Sequence, residues 1–315
     1  MSVSLSLVVF LLLNARRFDV IHAHQYGWSA ALAIFVGHLL QRPVVLKLTA
    51  TGREGILETL RHSRFSALSA VLHRQVDACI ATSEWGEQEA GALGIPKNRI
   101  HLIPNGLDTD RFCPATPREK SALREQLGLG SGVVALFVGR ICSQKNPLLL
   151  LKAWTETFAR RDNCELVLLG DGPQLELVQD IAKAGARNVR VLGSVDDPLP
   201  WYQAADLYLL PSDYEGLSNS LLEALSCGLP VVCTQVSGSE DVFRKADVGE
   251  LIPVGDEGKL SRAIERMLAD PGRRAACGRH ARELALRFFS MAIVRSAIES
   301  LYAIVLRTCR VPTAI

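Results

Sequence analysis

The chain has 315 residues, enough for two α/β domains of ordinary size. Hydrophobic residues make up 48% of it and charged residues 22%, a composition that excludes an intrinsically disordered protein. The formal net charge of +2 gives no basis for nucleic-acid binding, so we expect no nucleic acid among its partners.

The eight cysteines form no C-x-x-C pair, and several lie in apolar segments, as is typical of reduced core cysteines in a cytosolic protein. The apolar run 5–13 is too short to span a bilayer, and it lacks a basic leader and a small-residue cleavage site. We therefore predict a buried helix over this run and a cytoplasmic protein. Peripheral contact of the run with the inner face of the cell membrane is the alternative.

Four short apolar runs in the first third of the chain predict strands, because turn or helix signals follow each of them. The runs are 19–24, 43–48, 77–81 and 100–103. Pro104-Asn105-Gly106 closes this series. The segment 113–132 is rich in Pro, Ser, Gly and charge, and it predicts a linker that leads into a helix.

A second series of strands begins at Val133. Its predicted strands are 133–138, 165–169, 189–192, 205–210 and 230–233. Helical segments separate these strands, and the tail 260–306 has a helical pattern throughout. Strands that alternate with helices indicate parallel sheets, so we predict an α/β protein with two such domains.

Glu215 and Glu223 stand at the two ends of a polar segment that opens a helix. The strand predicted over 205–210 precedes it, and Ser218 or Asn219 can accept a hydrogen bond from a first-turn amide. The segment then lies at the carboxyl end of the sheet, where a helix N-terminus attracts an anion such as a diphosphate. Glu223 lies about two turns inside the helix. The two carboxylates can therefore reach different ends of one bound molecule. In a sugar nucleotide, one carboxylate would bind the sugar and the other the ribose.

Two cationic residues follow the first strand of the second series. Gly139 and Arg140 end that strand, and Lys145 lies just before the next helix. The planar guanidinium of Arg140 can bind two phosphate oxygens and the Lys145 ammonium is a compact charge, so the loop suits a diphosphate. Gly170-Asp171-Gly172 leaves the next strand, where glycines let a ligand or another backbone segment approach closely.

Each of these patterns also has a simpler explanation. Glu215 and Glu223 can be ordinary surface charges, although the leucines and alanines around Glu223 indicate that its carboxylate needs a partner. A solvated loop accounts for Arg140 and Lys145 equally well, and a tight turn accounts for the glycines at 170–172.

Taken together, the motifs resemble those of the family 4 retaining glycosyltransferases. The segment from Glu215 to Glu223 is similar to the E-x7-E motif of that family, whose members have the GT-B fold of two Rossmann-like domains facing a cleft. Three further motifs are similar to family motifs and occur in the family's order: 103–108, 137–140 with 145–147, and 169–173. The segments 19–24 and 81–83 are also similar. The resemblance runs from about residue 19 to the C-terminal helices.

The resemblance implies an enzyme that moves a hexose from a UDP- or GDP-sugar to a glycan or lipid-linked acceptor with retention, in surface polysaccharide or glycolipid biosynthesis. It implies an acceptor-side domain over 1–112, a sugar-nucleotide-binding domain over 113–286 and a closing helix over 287–315. No D-x-D motif lies beside a predicted strand, and members of this family generally work without a metal, so no metal is expected. The resemblance implies no other cofactor.

Roles for individual residues follow from the same resemblance. The implied donor-binding residues are Gly139, Arg140, Lys145, Gly216, Leu217, Ser218, Asn219 and Glu223, and the implied catalytic residue is Glu215. Arg140 and Lys145 would neutralise the diphosphate, the amides of 216–219 would bind beside the sugar and phosphates, and Glu223 would bind the ribose. Glu215 would contact the transferred sugar, either as a nucleophile or as a positioning group.

The chain departs from the family in its first domain. It starts at what resembles the helix before the fourth strand, so the strand near 20–23 would be an apolar edge that a partner chain covers, unless the sequence is an incomplete form. Thr49 stands where many relatives carry a histidine, and His22 and His24 are expected to be structural. Two alternatives to a complete transferase remain, a sugar-nucleotide-binding fragment without turnover and a GT-B sugar-nucleotide epimerase.

Overall fold

The computed structural model describes residues 3–49, 66–158, 161–185 and 188–310. Contacts divide the chain into two compact units, one of residues 1–106 with 292–315 and the other of residues 107–291. Within the described residues each unit has its own parallel sheet, with four strands in the first and six in the second. The predicted α/β architecture with two parallel sheets is confirmed.

The first unit alternates helices and strands. In chain order they are α1 (Val3–Leu13), β1 (Ile21–His24), α2 (Trp28–Leu39), β2 (Val44–Leu48), α3 (Ser66–His73), β3 (Ala78–Ala81), α4 (Glu84–Ala92) and β4 (Ile100–Leu102). The strands lie side by side in the order β1-β2-β3-β4. Among the described residues β1 is therefore an edge strand, and all four predicted strand positions are confirmed.

The second unit has the same alternation and is larger. Its elements are α5 (Pro117–Gln126), β5 (Val133–Val138), α6 (Pro147–Phe158), β6 (Cys164–Leu169), α7 (Leu175–Gly185), β7 (Val189–Gly193), α8 (Leu199–Ala204), β8 (Leu207–Leu210), α9 (Asn219–Ser226), β9 (Val231–Thr234), α10 (Ser237–Lys245), β10 (Gly249–Ile252), α11 (Glu257–Ala269) and α12 (Pro271–Leu284). A π-helical segment, Ala285–Phe289, follows, and α13 (Met291–Arg310) belongs to the first unit from Ala292 onward.

The strand order of the second sheet is β10-β9-β8-β5-β6-β7. The chain runs outward from β5 through β6 to β7, then returns to the other side of β5 to add β8, β9 and β10. The order reverses between β5 and β8, and ligands of open α/β sheets bind at the carboxyl ends of the strands at such a point. Strand β10 was not predicted, because Gly249–Ile252 contains a glycine and a glutamate instead of an apolar run.

The segment 113–132, predicted as a linker that leads into a helix, itself contains the helix α5, which begins with two paired signals. The hydroxyl of Thr116 accepts a hydrogen bond from the Glu119 amide, and the Glu119 carboxylate accepts one from the Thr116 amide. Pro117 occupies the first helical position, which needs no amide donor. The ammonium of Lys120 then lies 2.7 Å from Asp206, at the entrance to β8. This pair ties α5 to the amino end of the second sheet.

The prediction that residues 5–13 form a buried helix is only half right. The helix is present as α1, but the side chain of Leu13 is 80% exposed and that of Phe10 is 60% exposed, whereas Leu11 is buried. An all-apolar helix gives no periodic signal for one buried face, so the pattern identified the helix but not its exposure. No helix among the described residues is both long and apolar enough to cross a membrane.

Two apolar layers enclose the first sheet. Val44 and Leu46 of β2 face the layer that includes residues of α1 and α2, and Val45 faces the opposite layer with Leu301 and Val305 of α13. The alternation follows from the strand geometry, in which successive side chains point to opposite faces. The last helix thus forms part of the core of the first unit.

Candidate functional site

Two loops meet at the reversal point of the second sheet, the loop after β5 (139–146) and the loop after β8 (211–218). Gln144 joins them twice, since its carbonyl oxygen accepts a hydrogen bond from the Asp213 amide at 2.8 Å and its side-chain amide donates to the Tyr214 carbonyl at 3.1 Å. Asn146 adds a third bond, from Nδ2 to Asp213 Oδ1 at 2.8 Å. These bonds hold two chain segments about 70 residues apart in sequence in one arrangement.

Lys145 and Glu215, predicted separately, are brought into direct contact. Lys145 Nζ lies 2.5 Å from Glu215 Oε1, and both side chains are largely buried. The hydroxyl of Ser212 donates to the same carboxylate oxygen at 2.9 Å, and Lys145 Nζ lies 3.4 Å from the hydroxyl of Ser218. The site therefore has a cation, a carboxylate and hydroxyls concentrated at the end of β8.

Arg140 differs from Lys145. Arg140 is exposed, and no described residue forms a hydrogen bond or an ion pair with its guanidinium. Gly139 lies beside the Lys145 side chain, because a Cβ at position 139 would be 3.6 Å from the lysine methylenes. The two predicted cations thus share a loop, one paired and largely buried and the other exposed.

Helix α9 begins at the same place without a side-chain cap. Ser218 occupies the N-cap position, but its side chain accepts no hydrogen bond from a first-turn amide and instead lies 3.0 Å from the hydroxyl of Ser220. The predicted capping role of Ser218 is therefore wrong. Asn219, exposed, is the first helical residue. Amides at an uncapped helix N-terminus are donors for an anion.

The loop before α9 is fixed from behind by α10. The Gly238 amide donates to the Gly216 carbonyl at 2.9 Å, and a Cβ at position 238 would lie only 2.3 Å from that oxygen. Leu217, between Gly216 and the N-cap, is buried. Residues 216–219 therefore lie on a rigid support, as pre-organised backbone donors require.

Glu223 is half-buried and has a partner, so the surface-charge explanation is wrong for it. The hydroxyl of Tyr202 on α8 donates to Glu223 Oε2 at 2.8 Å. Burial raises the pKa of Glu223, and the Tyr202 hydrogen bond and the positive charge of Arg111 oppose that rise. Burial also raises the pKa of Tyr202 well above its ordinary value, so the phenol remains protonated and able to donate.

The glycine turn after β6 is a packing device. A Cβ at Gly170 would lie 1.8 Å from the Gly139 carbonyl oxygen, and one at Gly172 would lie 2.4 Å from that of Ile141. The Ile141 amide donates to the Asp171 carbonyl at 2.9 Å. The glycines let this turn pack against the loop that carries Arg140 and Lys145, so their contribution to the site is support.

Sequence reasoning missed four residues of the site: Gln144, Tyr202, Tyr208 and Ser212. Ser212 could have been found, because it lies three residues before Glu215 in the same loop. The hydroxyl of Tyr208 lies 2.8 Å from that of Ser220 and 3.1 Å from the Val138 carbonyl oxygen. Neither tyrosine has a local sequence signal, since their contacts come from the packing of α8, β8 and α9.

In the first unit, His22 has a structural contact that agrees with the expectation. Its Nδ1 lies 2.5 Å from the hydroxyl of Tyr302 on α13, and its ring stacks on His24 at a centroid distance of 4.6 Å. Burial lowers the pKa of His22 to about 4, and the neighbouring His24 and Lys47 act in the same direction. The hydroxyl of Thr49 lies 2.6 Å from Oε1 of Gln25.

A cavity of about 1210 Å³ lies elsewhere, at the amino ends of β5 and β6, where Gly132, Glu165 and Asn188 contribute to its lining. It contains none of the predicted site residues. Over the described ranges, no group of three or more His, Cys, Asp and Glu side chains is placed to hold a metal ion.

Two family models match the chain. Residues 2–111 match the model described as Glycosyltransferase Family 4, and residues 132–270 match the one described as Glycosyl transferases group 1. A GDP-mannose-dependent monoacylated alpha-(1-6)-phosphatidylinositol monomannoside mannosyltransferase from Corynebacterium glutamicum is 31% identical over 265 residues, which are 80% of this chain and 68% of that protein. The chain belongs to glycosyltransferase family 4.

Other relatives agree with this assignment. A D-inositol 3-phosphate glycosyltransferase from Xylanimonas cellulosilytica is 30% identical over 290 residues, covering 86% of this chain and 68% of that protein. A GDP-mannose-dependent alpha-(1-6)-phosphatidylinositol monomannoside mannosyltransferase from Mycolicibacterium smegmatis is 33% identical over 208 residues, covering 62% and 54%. The chain is therefore a family 4 enzyme, a retaining hexosyltransferase that uses a nucleotide sugar in glycolipid or polysaccharide biosynthesis.

Solved structures show the same fold. Anabaena Alr3699/HepE, crystallised with UDP, aligns with a TM-score of 0.83 at 22% identity over 94% of this chain and 81% of that one. Sucrose-phosphate synthase from Thermosynechococcus elongatus aligns with a TM-score of 0.76 at 23% identity over 96% and 78%. These likenesses confirm the predicted GT-B type of α/β fold.

Proposed function

We propose that the carboxyl ends of β5 and β8, where the two site loops meet, bind the donor of the transfer reaction, a UDP- or GDP-hexose. The observation that carries the proposal is the cluster in which Lys145 lies 2.5 Å from Glu215 and 3.4 Å from Ser218. Glu223 lies on the helix that begins beside this cluster. A cation and two carboxylates at one uncapped helix suit a ligand with an anionic centre, a sugar at one end and a ribose at the other.

The proposed residues act on the charges that develop during transfer. The bond between the anomeric carbon and the diphosphate oxygen breaks, and the acceptor oxygen bonds to the same carbon. The proton of the acceptor hydroxyl passes to the departing diphosphate. Arg140, Lys145 and the amides of 216–219 stabilise the negative charge on the departing nucleotide. Glu215 faces the sugar and stabilises positive charge at the anomeric carbon, while Glu223 binds the ribose hydroxyls.

The relatives suggest which donor and acceptor to test first. The relatives from Corynebacterium glutamicum and Mycolicibacterium smegmatis are both named for GDP-mannose. All three relatives described above have an inositol compound in their names. We propose GDP-mannose as the first donor and an inositol-bearing lipid as the first acceptor. UDP-glucose is the second donor, since HepE was crystallised with it. In this proposal residues 113–286 bind the donor, residues 1–112 serve the acceptor, and residues 287–315 close the first domain.

We also propose that α1 rests on the inner face of the membrane that holds such an acceptor. Phe10 and Leu13 are exposed, and the exposed Arg16 and Arg17 follow the helix. An apolar face beside cationic residues suits an anionic lipid surface. Sedimentation with anionic vesicles tests this, with Phe10→Glu as the variant expected to remain in solution. If the variant sediments as the original chain does, the apolar face serves another partner, such as a chain that covers the edge of β1.

The donor proposal is tested by calorimetry with GDP, UDP, GDP-mannose and UDP-glucose, followed by transfer from the labelled donor to a lipid extract. We expect binding of one nucleotide sugar and a labelled lipid product. Binding without transfer would indicate a donor-binding fragment, and release of an altered free sugar would indicate an epimerase. Failure to bind any of the four molecules would overturn the proposed site.

A further inference from the structure

Tyr202 lies behind the proposed ribose end of the donor site. Its residue is fully buried, and its ring lies between Phe112 at a centroid distance of 6.1 Å and Tyr208 at 5.9 Å. Its hydroxyl lies 2.8 Å from Glu223 Oε2 and 3.3 Å from the Ser220 carbonyl. Since a phenol has one proton, the shorter contact, to a carboxylate, is the one it favours.

This contact gives the two oxygens of the Glu223 carboxylate different surroundings. Oε2 is occupied by the Tyr202 hydroxyl, whereas no described residue donates a hydrogen bond to Oε1. A carboxylate held through one oxygen has the rotation about its last bond restricted, so the other oxygen keeps one direction. Oε1 is then a pre-organised acceptor for a ligand hydroxyl.

We propose that Tyr202 is a positioning residue, which holds Glu223 so that Oε1 accepts a hydrogen bond from a ribose hydroxyl of the donor. The inference rests on the proposed donor site. Tyr202 itself touches no ligand and acts through Glu223. It sets the preference of the site for ribonucleotides over deoxyribonucleotides.

A second consequence concerns pH. The groups that influence the Glu223 carboxylate are Tyr202, which donates to it, and Arg111, whose charge favours ionisation; Tyr208 and Cys227 also lie within its electrostatic reach. Burial raises the pKa of Glu223, and removing the Tyr202 hydroxyl removes the largest influence opposing that rise. In Tyr202→Phe the Glu223 carboxylate should therefore protonate at a higher pH than in the original chain. As the pH is lowered, the variant should lose ribonucleotide binding before the original chain does.

The test compares three proteins, the original chain, Tyr202→Phe and the matched control Tyr208→Phe. Tyr208 is also a fully buried tyrosine, but its hydroxyl bonds to Ser220 and Val138 instead of Glu223. Calorimetry measures GDP or UDP, whichever the chain binds, against its 2′-deoxy and 3′-deoxy forms. We expect Tyr202→Phe to weaken ribonucleotide binding roughly tenfold and to leave binding of one deoxy form within about twofold.

Several outcomes would overturn the inference. Equal weakening of the ribonucleotide and both deoxy forms in Tyr202→Phe would show a general packing role, and an unchanged ribose preference would show no role at all. Tyr208→Phe should shift all the nucleotides alike, and an equal loss of ribose preference in that control would also contradict the proposal. Melting curves show whether each variant folds, and the shift of the pH profile gives a second readout if Tyr202→Phe binds weakly.

Failure of the donor site itself has a different signature. If the original chain binds the ribonucleotide and both deoxy forms equally, or if Glu223→Ala keeps the full preference, Glu223 does not contact the ribose and its proposed role in donor binding is wrong. A third pattern would contradict only the role of Tyr202. In that pattern the original chain prefers the ribonucleotide, the Glu223 variant loses the preference, and Tyr202→Phe keeps it.

Discussion

Lys145 Nζ and Glu215 Oε1 lie 2.5 Å apart, so the cation proposed to bind the diphosphate and the carboxylate proposed to contact the sugar are held by each other. Both side chains are largely buried, where either charge alone would be costly. A donor that enters must therefore replace this attraction with its own, the phosphates facing Lys145 and the sugar hydroxyls facing Glu215.

Lys145→Met should reduce both binding and stability. The variant loses the buried cation of the proposed diphosphate site, so we expect the affinity for GDP or UDP to fall about tenfold or more. It also leaves Glu215 without its cation, and we expect the free energy of unfolding to fall by ~3 kcal/mol. Calorimetry and denaturant unfolding measure the two effects. The control is Lys152→Met, which removes an exposed lysine paired with Glu257 on the surface; a similar loss of affinity there would rule out a specific role for Lys145.

Glu215→Gln should separate transfer from binding. The amide keeps the size of the side chain and can still accept a hydrogen bond from Ser212. It loses the negative charge that is proposed to face the sugar. We expect the rate of hexose transfer to fall roughly 100-fold or more while the affinity for GDP or UDP changes little. Single-turnover transfer and calorimetry provide the two measurements. Retention of the original transfer rate would remove Glu215 from the reaction.

The strands and the two site loops could be predicted because their signals are local. The run 133–138 coincides with β5, and Glu215 with Glu223 marked the segment that opens α9. The pairing of Lys145 with Glu215 could not be predicted, because it depends on how β8 lies next to β5 in the sheet. The partner of Glu223 was missed for the same reason, since α8 presents Tyr202 only after the core has packed.

Two further features, the exposure of α1 and the partner of His22, depend on tertiary surroundings that no local pattern specifies. The apolar composition of α1 predicted burial, yet Leu13 is exposed, because composition does not specify which elements cover a helix. The contact between His22 and Tyr302 joins residues 280 positions apart, and α13 completes it. Such contacts require the whole topology and leave no mark in either local segment.

Gly170→Ala should destabilise the second unit. The residue has a φ of +137°, and an added Cβ would lie 1.8 Å from the Gly139 carbonyl oxygen, so the turn and the loop 139–146 would have to separate. We expect a cost of about 3 kcal/mol or more and weaker nucleotide binding, measured by denaturant unfolding and calorimetry. Gly91→Ala is the control, because a Cβ there meets nothing within 4 Å and alanine favours the helix by about 0.5–1 kcal/mol. Equal stability of the two variants would contradict the packing argument.

Glu223→Gln should make the protein more stable at neutral pH and less selective for ribose. Burial raises the pKa of Glu223 in the folded state, so the folded protein binds this proton more readily than the unfolded chain does. Ionised Glu223 therefore destabilises the fold. This cost develops as the pH rises through the pKa of Glu223 in the unfolded chain and then through its higher pKa in the folded protein. We expect the variant to melt higher at pH 7 and the gain to disappear as the pH falls below the unfolded pKa. Melting curves from pH 4 to pH 8 measure the effect; a gain that grows toward acid pH would mean that the folded carboxylate is stabilised in its ionised form. The charge that is maintained at this cost is the one proposed to bind a ribose hydroxyl at Oε1.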